Sequence, residues 1–88
     1  MTKNRRKYFI DDRKAIKLLT EGYGFKVIKM NFYQLRIYHE ESPGFWDWYH
    51  TQGSTVRNED GYCQSWGEFG DVENLAIAIN NYVYKKRN

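Results

Sequence analysis

With one cysteine, one proline and no apolar run near the ~18 residues a membrane helix needs, this 88-residue chain excludes several classes at once. Cys63 alone cannot build an intramolecular disulfide framework, and it suits a reducing cytosol. No apolar stretch of the signal-peptide kind follows the basic start, so secretion is not expected. Scarce proline and an aromatic content of 18% argue against a disordered chain. Catalytic signatures are missing too: there is no Walker loop, no Gly-x-Ser-x-Gly and no Cys-x-x-Cys. Asp47 and His50 fall on opposite faces of a strand and are poorly placed to share a proton. His39, His50 and Cys63 with a carboxylate could hold a metal only if the strands happened to align them. The simpler reading makes both histidines strand residues and Cys63 a small filler. No enzyme, cofactor or metal is expected.

What is present is aromatic. Sixteen rings, three of them Trp, suffice for one compact core in a single domain. Residues 1–8 read as a loose basic arm, and residues 9–88 as the domain. Asp11 or Asp12 can cap a first helix carrying Ala15, Ile16, Leu18 and Leu19, which Gly22 and Gly24 stop. From Phe25 the period changes to two, predicting strands over Phe25–Met30 and Tyr33–Glu40 joined by a tight hairpin at Asn31 and Phe32, or one long bent strand. Glu41-Ser42-Pro43-Gly44 is turn chemistry, and Phe45–Thr51 is a third strand. Gln52-Gly53 closes a hairpin into Ser54–Arg57, Asn58–Gly61 turns again, and Tyr62–Trp66 is a last short strand. Asp71 caps the clearest helix, where Val72, Leu75, Ala76, Ile79 and Val83 form a stripe that Ile77 and Tyr82 widen. The expected fold is α+β: helix, three to five antiparallel strands, helix, with both helices on one face of the sheet.

Charge is segregated along the chain. Residues 1–29 hold nine basic groups against three acids, residues 30–84 hold two against eight, and Lys85, Lys86 and Arg87 close the chain. A molecule with a basic and an acidic pole can meet nucleic acid with one end and a basic protein groove with the other. The segment Phe45-Trp46-Asp47-Trp48-Tyr49-His50-Thr51 divides its rings between two strand faces. One face serves the core, and the other exposes rings, joined by Tyr33 or Tyr38 from the neighbouring strand. Exposed rings on a sheet stack bases or anchor a protein partner. Their sequence neighbours are Glu40, Glu41, Asp47, Glu59 and Asp60, which oppose phosphate and favour a basic protein groove.

The run Trp46-Asp47-Trp48-Tyr49-His50-Thr51-Gln52-Gly53-Ser54 follows Tyr33-Gln34-Leu35-Arg36-Ile37 and precedes Phe69-Gly70-Asp71-Val72-Glu73-Asn74-Leu75-Ala76. This pattern resembles small phage-encoded accessory proteins over residues 33–80. The resemblance implies a protein acting in the cytoplasm of a bacterial host. It also implies the kind of role such proteins have, blocking host defence or replication as anti-CRISPR and anti-restriction proteins do. The helix–strands–helix order also resembles the double-stranded RNA-binding domain, but Asp71-Val72-Glu73-Asn74 stands where that family places a lysine cluster. The leading expectation is therefore a non-catalytic inhibitor of a bacterial nucleic-acid-processing or defence complex, such as a CRISPR effector. Its anchors would be Tyr38, Trp46, Trp48 and Tyr49, with Glu40, Glu41, Asp47, Glu59 and Asp60 meeting Lys and Arg of the partner. One alternative is nucleic-acid binding through Lys3, Arg5, Arg6, Lys7, Arg13, Lys14 and Lys17, helped by the basic tail. Another is a homodimeric module whose exposed rings meet their own copy. No membrane partner is expected.

Overall fold

The computed structural model describes residues 12–50, 53–66 and 72–87. The expected basic arm over residues 1–8 and the Asp71 cap lie outside them. Helix α1 (Asp12–Lys17) continues into a π turn at Leu18–Gly22. Five strands follow: β1 (Lys26–Asn31), β2 (Gln34–Tyr38), β3 (Trp46–Tyr49), β4 (Thr55–Asn58) and β5 (Cys63–Ser65). Helix α2 (Val72–Arg87) ends the fold. The sheet is antiparallel throughout, in the order β1-β2-β3-β4-β5, so every connection between strands is local. The architecture is α+β, with both helices over one face.

The core explains that arrangement. Leu35 and Ile37 of β2, Trp46 and Trp48 of β3 and Val56 of β4 share one face and are buried. Over them lie Ala15 of α1, Leu19 of the π turn, and Val72, Leu75, Ala76, Ile79 and Val83 of α2. Each of these α2 residues recurs at helical spacing, so one stripe meets the sheet and the polar remainder faces solvent. Ile77 does not widen that stripe as expected. It sits beside it on the helix and is 49% exposed, whereas Tyr82 packs partly against the core.

The first hairpin turns at Phe32 and Tyr33, one residue later than expected. Asn31 Oδ1 accepts the Tyr33 N–H at 3.1 Å, a side-chain turn that fixes the tip. Met30 is the extra residue of a bulge between Lys29 and Asn31. Gly53 adopts the positive φ (70°) expected of it, and Ser54 follows at φ 47°. Ser54 tolerates that backbone while its buried hydroxyl accepts the Trp48 indole N–H at 3.0 Å.

Candidate binding surface

Strand register sets out the uncovered face row by row. Lys26 pairs with Tyr38 at the end of the sheet where the chain enters β1. The middle row runs Ile28, Arg36, Asp47, Arg57, Cys63 across all five strands. Tyr49, Thr55 and Ser65 lie beyond it. No helix among the described residues covers this face, which mixes aromatic, arginine and aliphatic side chains. Tyr38, Tyr49 and Phe45 provide half-buried rings, with exposed Ile28 beside them.

A fixed polar cluster occupies the centre. Arg36 donates from Nε to Asp47 Oδ1 at 2.8 Å and from Nη2 to Oδ2 at 3.1 Å, a two-pronged fork. Its Cζ stands 3.8 Å above the centroid of the Phe45 ring, adding a cation–π contact. The Asp47 hydrogen bond is the main reason the Arg36 guanidinium is more basic than usual, against a smaller opposing effect of burial. Phe45 in turn meets Tyr38 edge-on, with ring centroids 6.2 Å apart. Arg36, Asp47, Phe45 and Tyr38 are thus held in one arrangement.

The other acids gather in two turns at the entry end of the sheet. After β2, His39 Nδ1 accepts the Glu41 N–H at 3.0 Å, and the His39 carbonyl accepts the Ser42 N–H at 3.2 Å. His39 Nε2 then faces Asn80 Oδ1 at 2.9 Å, so the neutral ring carries its proton on Nε2 and ties this turn to α2. After β4, Asn58 Oδ1 accepts the N–H groups of Asp60 and Tyr62, both at 2.9 Å. The two turns stand side by side, and Glu41, Glu59 and Asp60 line an open cavity of about 400 Å³ with Ser42, Pro43, Gly44 and Val83. An adjoining cleft links Phe45 to Glu59 and Asp60, so the acidic corner is continuous with the aromatic face. Tyr82 of α2 donates to Asp60 Oδ2 at 3.2 Å. Tyr62 packs on Tyr82, with centroids 5.0 Å apart, and burial pushes its phenol above the usual value, with nearby Cys63 adding to the shift.

Two expected anchors belong elsewhere. Trp46 and Trp48 are 2% and 0% exposed and face the helices, so neither is available to a partner. Alternation makes this unavoidable: Asp47 and Tyr49 point to the open face, which sends the flanking indoles into the core. Nor do the acids surround the rings as their sequence proximity suggested. Asp47 is engaged by Arg36, while Glu40, Glu41, Glu59 and Asp60 sit in the turns at one end. Phe45 and Arg36, absent from the expected site, are central to it. The parity that places Phe45 with Tyr49 was readable, but Arg36 needed the β2–β3 register.

His39, His50 and Cys63 do not converge. Both histidines are buried at opposite ends of the sheet, and Cys63 is exposed on the open face. Among the described residues no group of three or more His, Cys, Asp or Glu could hold a metal ion. No described helix is long and apolar enough to cross a membrane. Lys3, Arg5, Arg6 and Lys7 lie outside the described residues, whereas Arg13, Lys14 and Lys17 are exposed on or beside α1. Comparison with protein-family models, with curated proteins and with solved structures finds no match.

Proposed function

We propose that this chain is a non-catalytic binding protein of the phage accessory type, which occludes a nucleic-acid-processing or defence complex in a bacterium. The observation that carries the reading is an uncovered sheet face with an aromatic and arginine centre, continuous with a corner of clustered acids. The acidic corner presents clustered negative charge of the kind a nucleic-acid groove binds, with the aromatic face adjoining it through the Phe45 cleft. Lysine and arginine side chains of a nucleic-acid groove are the matching surface, and complementarity of this kind also speeds encounter. Tyr38, Phe45 and Tyr49 act as the anchors, and Glu40, Glu41, Glu59 and Asp60 meet the basic groups. The reading requires no catalytic group and no cofactor.

The test is affinity capture from bacterial lysate with tagged protein, with and without nuclease, read by mass spectrometry. A protein retained after nuclease digestion, and lost with Tyr49→Ala or with Glu59→Lys/Asp60→Lys, is the expected result. An anchor truncated to alanine should weaken that complex by ~2 kcal/mol or more. Capture that collapses with nuclease, or that folded variants leave unchanged, overturns the reading.

A further inference from the structure

The opposite flank carries the other sign. Residues 12–31, comprising α1, the π turn and β1, hold five basic groups against Asp12 and Glu21, whereas residues 34–66 hold two against five acids. The π turn that continues α1 packs on β1, so the two basic segments are joined through it. Lys14 and Lys17 are exposed on α1, and Lys26 and Lys29 are exposed on β1. Lys26 pairs with Tyr38 on the open face, and Lys29 pairs with Leu35 on the helix face. Positive charge therefore follows the edge of the sheet on both sides.

At the end of that edge the apolar surface is unusually open. Phe32 is 76% exposed at the hairpin tip, against Tyr33 edge-on at 5.2 Å, and Met30 is 44% exposed beside it. A buried core gains nothing from a ring in that position. Proteins that hold single-stranded nucleic acid combine a positive track along the backbone with aromatic side chains that stack on bases. An anionic membrane would favour charge spread over one plane, whereas lysines on both faces of an edge strand suit a chain that runs along it.

We infer that the β1 edge, with the π turn packed on it and α1 leading into that turn, is a single-stranded nucleic-acid site. Lys14, Lys17, Lys26 and Lys29 neutralise phosphates, and Phe32 with Tyr33 receives a base. This site adjoins the open face where Lys26 pairs with Tyr38, but it uses none of the acidic turns and does not depend on the occlusion reading. A complex that processes nucleic acid offers both a basic protein groove and the strand it holds, so the two surfaces can engage one target from two sides.

The experiment is fluorescence anisotropy of the full chain with a labelled single-stranded DNA oligonucleotide across a salt series. The same measurement is made with the matching duplex, and flotation is followed with phosphatidylserine vesicles. Binding that favours the single strand and falls steeply with salt is expected. Lys26→Gln/Lys29→Gln should reduce the log–log salt slope by about 0.7 for each phosphate no longer neutralised. Phe32→Ala should weaken binding about tenfold with the slope unchanged, as removal of a stacking platform does. Lys26→Arg/Lys29→Arg should retain binding, which separates charge from a folding defect. No binding at low salt, binding insensitive to these substitutions, preference for duplex, or capture by vesicles in place of DNA overturns the site. None of these outcomes bears on a nuclease-resistant protein partner, so the two readings fail independently.

Discussion

Trp48 shows most directly how one residue's role depends on the face it occupies. Its indole is fully buried under the helices, and its N–H is satisfied by the Ser54 hydroxyl. Truncating a buried tryptophan removes its transfer energy and leaves a cavity, so Trp48→Ala should cost about 3–5 kcal/mol. Chemical denaturation should then show a destabilised or unfolded protein, not a folded protein that has lost its partner. Ser54→Ala keeps the ring but strands its N–H in the core, at a cost of about 1–3 kcal/mol in the same assay. Tyr49, one residue along the chain and on the other face, should behave oppositely. Tyr49→Ala should leave the denaturation midpoint close to wild type while reducing capture of a partner.

At the level of elements, the acidic corner depends on two turns being held together. Gly44 has φ +82°, a left-handed backbone conformation, and the Glu59 carboxylate occupies the space that a Cβ there would need. Gly44→Ala should therefore destabilise the fold by about 1–2 kcal/mol from the backbone alone. A further loss should come from displacing Glu59, and Gly44→Ala in a Glu59→Ala background should recover that second part. The His39–Asn80 contact is the corresponding tie between the other turn and α2. Asn80→Leu leaves the ring N–H without its acceptor in a buried site, so a loss of about 1–3 kcal/mol is expected by thermal or chemical unfolding.

These turns also mark how far the sequence could be read. The alternation through Phe45–Tyr49 and the stripe from Val72 to Val83 are local periodicities, so strand and helix were legible without knowledge of the fold. Which parity of β3 met the core was less so, because both faces carry large rings. Only the helix stripe lying over Trp46 and Trp48 resolved it, and that is a tertiary contact. The bulge at Met30, which moves the hairpin tip to Phe32 and Tyr33, follows from a side-chain turn at Asn31 with no periodic signal.

For the whole molecule, the two outer strands of the sheet bear on self-association. An exposed edge strand invites a second copy unless charge or irregularity blocks it. β1 carries Lys26 and Lys29 along its length and a bulge at Met30, while β5 is only three residues long. The chain should therefore sediment as a monomer of 10.7 kDa, and a concentration-dependent doubling of mass would favour the homodimeric alternative. The β1 edge lies on the basic flank, opposite in sign to the acidic corner. This polarity is an assembly of segments, each carrying its own charge bias.

What the amino-acid sequence determined alone was the order of elements, the α+β class and the bias of charge along the chain. These depend on the spacing of apolar side chains and on composition, which act over a few residues at a time. The tertiary structure decided which rings face solvent, and it grouped acids from two turns 18 residues apart into one corner (Glu41 and Glu59). It also set Arg36 into its fork with Asp47 and packed β1, which carries Lys26 and Lys29, against the π turn. Each of these depends on strand register and on which sheet face the helices cover, because distances across strands are set by pairing and not by separation along the chain.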